Sequence, residues 1–209
     1  RDAREGRRGR RRQAGVALLV RSLLLCGGAG TRFGGAKLLA TVNGVPLAVL
    51  SARSLLAGTG DALAIVRAGD DALAAVLREA GCEVLSSEAC AKGLGASLAA
   101  GVAATRTAGG WLVALGDMPL VSPATHAAVK AAMEAGAPLA AAVDRTSGRR
   151  GHPVAFSREL GDELAVLDGD AGARSVVERH GSRLVRVPVD DHGIFLDIDT
   201  PEDLEWIPP

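Results

Sequence analysis

Short apolar runs that alternate with alanine- and leucine-rich stretches constrain the fold of this chain most strongly. The apolar runs are almost uninterrupted, as in strands that are buried on both faces of a sheet. The stretches between them have the length and composition of helices. The sequence therefore predicts an α/β fold with a doubly wound, mostly parallel sheet. The predicted strands cover residues 23–26, 62–66, 83–85, 111–115, 139–143, 153–156, 183–187 and 195–199.

Glycine and proline mark the ends of the predicted helices. The first helix covers residues 46–57 and is expected to end at Gly58, while Pro123 suits the first position of the helix that runs to Gly136. Thr200 before a proline is typical of an N-cap and predicts a final helix. No linker divides the chain after residue 15, so residues 16–209 are expected to form a single domain. The remaining predicted helices cover residues 70–80, 96–104, 162–167 and 172–180.

Residues 1–15 form a basic leader that we expect to be disordered. Together with the apolar run over residues 16–26, this leader resembles a signal peptide or a lipoprotein anchor. Two features oppose secretion, because Arg21 divides the run and Leu25 stands where a cleavage site prefers a small residue. The run is also too short to span a bilayer, so we expect no membrane segment and a cytoplasmic protein. Three cysteines without CxxC spacing fit reduced thiols in that compartment.

The charge distribution argues against nucleic acid as a partner. Eight of the 24 basic residues but only two of the 24 acidic ones fall in residues 1–21, which leaves 16 and 22 for the rest of the chain. Binders of DNA and RNA usually carry a basic face instead. Aromatic residues make up 2% of the sequence, too few for a base-stacking platform. Any polyanionic ligand must therefore be held by a local cluster of cations.

The segment GGAGTRFGGAK, residues 27–37, follows the first predicted strand and is the strongest candidate for such a cluster. Its glycines let backbone N–H groups approach a phosphate, and Arg32 and Lys37 add positive charge. The spacing is one residue longer than the dinucleotide-binding fingerprint. It also differs from a Walker A loop, since Ala36 separates Gly35 from Lys37 and Leu38 replaces Ser or Thr. A glycine-rich turn without a ligand is the alternative interpretation.

Acidic residues just after one predicted strand and within another are candidate metal ligands. Asp117 comes just after the strand over residues 111–115, where a Mg²⁺ ligand would face bound phosphates. Strand alternation predicts that Asp197 and Asp199 share one face, and paired carboxylates are costly unless a cation lies between them. The alternatives are a turn aspartate at 117 and, at 199, a residue that merely precedes the helix cap.

Two further loops are candidates for receiving a phosphorylated second substrate. Residues 148–153 form a predicted basic turn in which Arg149, Arg150 and His152 could bind an anion. A solvated surface turn is the alternative for the two arginines. Residues 168–174 lead into a predicted helix whose N-terminus could accept an anion, although Asp170 could simply cap that helix.

Taken together, these motifs resemble the MobA-like NTP-transferase family, and most of all its molybdenum cofactor cytidylyltransferases. The resemblance extends from Leu23 to Leu204 and therefore covers the whole predicted domain. Each motif alone is weak, but the ordered set is specific. The segments that carry it are LLLCGGAGTRFGGAKLL, GLGASLAAG, LVALGDMPLVSP, RRGHPVAF, GDAGAR and DIDTPEDL.

The resemblance implies a Rossmann-like nucleotidyltransferase fold and transfer of a nucleoside monophosphate to the phosphate of molybdopterin, with release of pyrophosphate. Arg32, Lys37 and Asp117 would be catalytic, and Asp117, Asp197 and Asp199 would hold Mg²⁺. It also implies contact with a recipient molybdoenzyme or its maturation factor. The residues that it assigns to substrate and cofactor binding are Gly27, Gly28, Gly30, Thr31, Gly34, Gly95, Ser97, Gly151 and His152.

The nucleotide base is less well defined by the resemblance. Cys26-Gly27-Gly28 stands where cytidylyltransferases usually have Ala-Ala-Gly, and it leans toward the guanylyltransferases. The motifs at Asp117, His152 and Asp199 are cytidylyl-like, so CTP is expected and GTP is the alternative. Other hypotheses are another small NTP transferase, a non-catalytic molybdopterin carrier and a dinucleotide-binding oxidoreductase. The last is disfavoured by the extra loop residue and by Arg67, which stands where an acidic ribose partner is expected.

Overall fold

A seven-stranded sheet with helices on both faces forms the framework of the protein. The structure is a computed structural model that describes residues 19–28, 33 and 36–208. The leader over residues 1–15 and the predicted site residues Gly30, Thr31, Arg32 and Gly34 lie outside the described residues. The strands are β1 (Val20–Cys26), β2 (Thr41–Val42), β3 (Val45–Pro46), β4 (Leu63–Arg67), β5 (Glu83–Ser87), β6 (Gly110–Leu115), β7 (Leu139–Asp144), β8 (Arg150–Ser157) and β9 (Leu184–Val189).

The large sheet has the order β5-β4-β1-β6-β8-β7-β9. Only β8 is antiparallel to its neighbours, and every other pair in this sheet is parallel. The chain direction therefore brings the carboxyl ends of β1, β4 and β6 to one edge, the edge at which doubly wound sheets bind ligands. The helices are α1 (Leu47–Thr59), α2 (Asp71–Glu79), α3 (Leu94–Ala104), α4 (Pro123–Glu134), α5 (Gly161–Ala165) and α6 (Arg174–Arg179).

Burial on both faces of the sheet explains the apolar runs in the sequence. In β1, Leu24 and Cys26 pack with α1, α2 and α4, whereas Leu23 and Leu25 pack with α3, α5 and α6. All four side chains are buried. At about 25 cal/mol per Å² of apolar surface, burial on this scale is the main source of stability for the fold. The predicted doubly wound α/β fold is confirmed.

Several predicted boundaries are wrong for identifiable physical reasons. Gly58 does not end α1, which continues to Thr59 and ends at Gly60 with a φ of 80°. A β-carbon at position 58 would lie 2.3 Å from the carbonyl oxygen of Pro123, so Gly58 serves the close contact between α1 and α4. The predicted helix over residues 172–180 begins only at Arg174, so Asp170 does not cap it.

The end of the chain also differs from the prediction. Residues 196–199 form no strand; an irregular segment follows the 3-10 turn His192–Phe195 and leads into the 3-10 helix Pro201–Trp206. The alternation that was expected to place Asp197 and Asp199 on one face therefore does not apply. Arg150, Gly151 and His152 belong to β8 and not to a turn before it. The described residues contain no helix long and apolar enough to cross a membrane.

Candidate active site at the carboxyl edge of the sheet

Lys37 forms the centre of the candidate site. It is the last residue of the glycine-rich loop and begins the 3-10 turn Lys37–Leu39, and its side chain is buried. Its Nζ lies 2.9 Å from Oδ2 of Asp117 and 3.1 Å from Oδ1 of Asp199. Three residues that the sequence identified separately thus meet in one cluster, although 162 positions separate Lys37 from Asp199.

The two carboxylates keep Lys37 charged. Burial by itself lowers the pKa of this ammonium group, because it removes water from the charged form. The charges of Asp117 and Asp199 and their hydrogen bonds act in the opposite direction and prevail, so the pKa of Lys37 is raised above its ordinary value. A permanent cation at this position can neutralise phosphate oxygens.

Asp117 is fixed by backbone contacts at the end of β6. The N–H of Gly116 donates to the carbonyl of Leu25 at 2.9 Å, which continues the pairing of β6 with β1. The buried hydroxyl of Ser51 on α1 donates to the carbonyl of Gly116 at 2.8 Å. These two contacts hold the turn from both sides, so Asp117 is presented by a rigid support and not by a free loop.

Asp199 is fixed by the polypeptide around it. The N–H of Ile198 donates to the carbonyl of Asp117 at 2.9 Å and ties the irregular C-terminal segment to the end of β6. The carboxylate of Asp203 accepts hydrogen bonds from the N–H groups of Asp199 and Thr200, both at 2.8 Å. These bonds lower the pKa of Asp203 and keep it ionised. Thr200 and Asp203 complete a capping box, which confirms the predicted cap, although the helix that follows is of the 3-10 type.

The carboxylates of Asp117 and Asp199 are chemically suited to a divalent cation. Oxygen ligands are what Mg²⁺ and Mn²⁺ prefer, and these two already share one positive group, the ammonium of Lys37. Asp197, by contrast, influences the site through its charge, which works against the lowering of the pKa of His152. Among residues 19–28, 33 and 36–208, no three His, Cys, Asp or Glu side chains form a group that could hold a metal.

The start of the glycine-rich loop packs closely on α3. A β-carbon on Gly27 would lie 2.6 Å from Oγ of Ser97 and 2.9 Å from Cβ of Cys90. Gly28 is exposed and has open space at the same position. Gly27 is therefore required by the buried side chains beneath it. Packing explains the first glycine of the Gly27-Gly28 pair, which leans toward guanylyltransferases, but not the second.

Gly95 and Ser97 lie at the beginning of α3, next to the loop over residues 168–170. The N–H of Gly95 donates to the carbonyl of Gly169 at 2.8 Å, and a β-carbon on Gly95 would lie 2.8 Å from the carbonyl oxygen of Asp168. The hydroxyl of Ser97 is buried and donates to the carbonyl of Gly93 at 2.9 Å. These contacts shape the wall of the site beside Gly27.

A cavity of about 320 Å³ opens between α3, β8 and the segment before α6. Its floor is apolar, whereas Arg150, His152, Asp170 and Arg174 supply the polar groups. Arg149 does not line it, because its guanidinium lies over the ring of Phe195, 4.2 Å from the ring centre. The apolar residues on its walls include Leu94, Leu98, Val113, Val154, Phe156 and Val177.

His152 joins this cavity to the carboxylate cluster. Burial lowers the pKa of His152, and Arg150 adds to the effect, while the charges of Asp117 and Asp197 oppose it. Its buried Nδ1 has no hydrogen-bond partner within the described residues. The preceding Gly151 lets the segment after β9 approach closely, since a β-carbon there would lie 2.2 Å from the carbonyl oxygen of Ile194. A buried histidine whose lowered pKa favours the neutral form thus lies at the wall of the cavity.

Sequence reasoning missed the residues that support this site. Ser51 lies in an ordinary helix, and Asp203 follows the predicted cap at Thr200 without any pattern that marks it as a support for Asp199. Arg67 was noted only as an unsuitable ribose partner, yet its guanidinium is 3.5 Å from the carbonyl oxygen of Gly27. Its position directly after a buried strand was the available signal, because that is where the other site residues also lie.

The fold and the site together define a phosphate-handling enzyme of the doubly wound α/β class. Residues 22–184 match the MobA-like NTP transferase domain. The chain belongs to this family, and it is a nucleotidyltransferase.

Two known proteins are similar over most of the chain. Nicotine blue oxidoreductase from Paenarthrobacter nicotinovorans is 29% identical over 192 residues, which cover 88% of this chain and 94% of the relative. The crystal structure of Rv0371c from Mycobacterium tuberculosis is 28% identical with a TM-score of 0.73, over 91% of this chain and 97% of that one. A manganese complex of Rv0371c is 25% identical with a TM-score of 0.73, over 90% of this chain and 97% of that one.

Proposed function

We propose that the protein transfers CMP from CTP to the phosphate of molybdopterin cofactor and releases pyrophosphate. The observation that carries this proposal is the cluster in which Lys37 joins Asp117 and Asp199 at the end of the glycine-rich loop. A buried cation beside two carboxylates suits a triphosphate that arrives with a divalent metal ion.

In this reaction a phosphate oxygen of the acceptor attacks the α-phosphorus of the nucleotide. The new P–O bond forms while the bond to the bridging oxygen of the β-phosphate breaks, and pyrophosphate leaves with that electron pair. No nucleophile from the protein is needed, so catalysis consists of positioning and charge neutralisation. Lys37 would contact phosphate oxygens, as would Arg32 in the loop.

We propose that Asp117 and Asp199 hold Mg²⁺, with Asp197 as a further ligand. The metal ion would polarise the phosphate oxygens and neutralise the charge that develops on the leaving group. The two carboxylates already share the ammonium of Lys37 in the unliganded chain, which supports a cation site between them. The manganese complex of Rv0371c supports a divalent ion in a protein of this type.

The cavity of about 320 Å³ is the proposed site of the acceptor. Its apolar walls suit the ring system of a pterin, while Arg150 and Arg174 suit an anionic group. His152 lies between this cavity and Asp117, which is where the acceptor phosphate would meet the nucleotide. Gly95, Ser97 and the glycines of residues 27–34 would surround the nucleotide itself.

CTP remains the preferred nucleotide, and GTP is the alternative. The packing of Gly27 against Cys90 and Ser97 removes one argument for GTP, because a buried contact explains this glycine without reference to a base. The product would pass to a recipient molybdoenzyme or its maturation factor, and the protein would act in the cytoplasm as a single domain.

A second candidate function comes from the name of one relative, nicotine blue oxidoreductase. An apolar cavity beside a glycine-rich loop could equally hold a flat organic substrate of a dinucleotide-dependent reductase. The absence of NADH or NADPH oxidation in the presence of heteroaromatic acceptors would dismiss this candidate.

The test of the proposed function is a matrix of nucleotides and acceptors. Pyrophosphate release is measured with Mg²⁺ and molybdopterin against CTP, GTP, ATP and UTP. We expect release with CTP only, and none when molybdopterin is left out. Release of pyrophosphate with GTP only would show that the protein is a guanylyltransferase and not a cytidylyltransferase. Release with none of the four would refute nucleotidyl transfer to molybdopterin.

A further inference from the structure

We propose that Arg67 forms a phosphate subsite beneath the glycine-rich loop, which binds the terminal phosphates of the nucleotide and the pyrophosphate that leaves. The inference rests on the proposed function, since it assumes that a polyphosphate lies along the loop. It assigns phosphate binding to Arg67, a residue that is not part of the sequence motifs and that the transfer reaction itself does not require.

The register of the sheet places Arg67 beside the loop. Cys26 of β1 is paired with Val66 of β4 in parallel, so the next residues, Gly27 and Arg67, emerge side by side at the carboxyl edge. The guanidinium Nη2 lies 3.5 Å from the carbonyl oxygen of Gly27. The arginine is therefore held against the first residue of the loop and not extended into solvent.

Arg67 retains unused hydrogen-bonding capacity. A guanidinium carries five N–H donors in a planar arrangement that matches phosphate oxygens. Arg21, at the other end of β1, directs its donors to Asp61 and Glu83. Within the described ranges Arg67 forms no salt bridge, and the carbonyl of Gly27 is the one acceptor that it contacts. Most of its donors can therefore serve a ligand.

A small cavity lies where those donors can reach it. Its volume is about 120 Å³, and its walls include Gly28 on one end of the loop, Ala36 and Lys37 on the other end, and Arg67 at the end of β4. Since a water molecule takes up about 30 Å³ of liquid, this space corresponds to roughly four waters. That volume has room for a phosphate group. A group bound there would be in reach of both Lys37 and Arg67.

The charges around this cavity make binding depend on a metal ion. Among the described residues, Lys37 and Arg67 are accompanied by Asp70 on the cavity wall and by Asp117 and Asp199 next to Lys37. Three carboxylates outnumber two cations, so a free polyanion is not favoured. A divalent ion reverses the balance, and we expect pyrophosphate to bind well only together with Mg²⁺ or Mn²⁺.

The test measures binding of inorganic pyrophosphate to the full chain by calorimetry, with and without Mg²⁺. Arg67→Gln should weaken pyrophosphate binding at least tenfold, and Arg67→Lys should recover part of that loss. In the unchanged protein, omission of Mg²⁺ should also weaken pyrophosphate binding. The control Arg53→Gln changes an exposed arginine of α1 and should have no effect. Thermal unfolding of each variant confirms that it is folded.

Pyrophosphate affinity within twofold of the unchanged protein in folded Arg67→Gln would overturn the subsite and show that Arg67 only supports Gly27. The proposed function can fail separately. Pyrophosphate binding that depends on Arg67, together with no turnover of any nucleotide, would keep the subsite and refute the transfer reaction. Normal turnover and normal pyrophosphate binding in Arg67→Gln would keep the reaction and refute the subsite.

Discussion

Lys37 and Asp117 form a salt bridge of 2.9 Å between residues that are 80 positions apart in the sequence. Asp199 approaches the same ammonium group at 3.1 Å. The ammonium of Lys37 thus lies between the two carboxylates that we propose as metal ligands. On that proposal, Lys37 and the metal ion would compete for these carboxylates until a triphosphate offers the lysine a different partner.

This competition predicts an unusual effect of Lys37→Met. The variant should lose turnover, yet bind Mn²⁺ about tenfold more tightly in the absence of nucleotide, because a positive charge close to both carboxylates has been removed. Titration of Mn²⁺ followed by electron paramagnetic resonance measures the affinity. Lys92→Met, which changes an exposed lysine, is the control and should leave Mn²⁺ affinity unaltered. Unchanged or weaker Mn²⁺ binding in folded Lys37→Met would argue against a shared cation position.

Two serines of α1 allow the support of Asp117 to be tested. Ser51 donates to the carbonyl of Gly116, whereas Ser54 donates to the carbonyl of Val121, away from the carboxylates. Replacing either by alanine should cost about 1–3 kcal/mol of the free energy of unfolding, because a carbonyl loses its donor. Only Ser51→Ala should also lower kcat several-fold, with the KM for the nucleotide nearly unchanged. Equal kcat values in the two variants would show that Ser51 does not position Asp117.

The contact between Gly27 and Ser97 predicts a packing defect. Gly27→Ala should destabilise the protein by about 1–3 kcal/mol, the usual cost of overfilling a packed region. Ser97→Ala removes the nearest atom, Oγ, and should relieve part of that loss when the two changes are combined. A double-mutant cycle in urea measures this coupling. Strictly additive effects would mean that the contact with Oγ of Ser97 is not the source of the loss.

Acid should weaken the fold through His126. Burial lowers the pKa of this histidine to about 4, although the charge of Asp191 acts in the opposite direction. In the unfolded chain the pKa of a histidine is about 6.5. As the pH falls below 6.5, His126 therefore becomes protonated in the unfolded state while it stays neutral in the folded state. The free energy of unfolding is therefore unaffected by this residue above pH 6.5 and decreases toward pH 4. The decrease due to His126 is at most about 3 kcal/mol.

Urea unfolding between pH 7.5 and pH 4.5 measures this decline. His126→Gln removes the titrating group and should make the dependence on pH shallower over that window. The same slope in both proteins would mean that His126 is not the source of the decline.

The fold was predictable because burial on both faces of a sheet leaves a direct trace in the sequence. Val66 and Leu115 end apolar runs, and the polar residues that follow them reach the ligand-binding edge as expected. Asp199 lies near Asp117 for a reason that the sequence pattern did not predict, since a capping box and a bond from the N–H of Ile198 to the carbonyl of Asp117 hold this segment where a strand was predicted.

Contacts between distant segments were not predictable from local pattern. The reason for glycine at position 27 lies in Cys90 and Ser97, more than sixty residues away. Likewise, the position of Arg67 beside the loop depends on the parallel pairing of β1 with β4. Periodicity and turn residues describe a segment by itself, whereas these relationships exist only once the sheet has formed.

The most direct test of the central claim follows the α-phosphate of the nucleotide. CTP labelled at the α-phosphorus is incubated with the protein, Mg²⁺ and molybdopterin, alongside Asp117→Asn and the control Asp162→Asn. We predict transfer of label to molybdopterin in step with pyrophosphate release, at a rate reduced roughly 100-fold or more in Asp117→Asn and unchanged in Asp162→Asn. Label that stays in CTP with the unchanged protein, or transfer that persists at full rate in Asp117→Asn, would contradict the account.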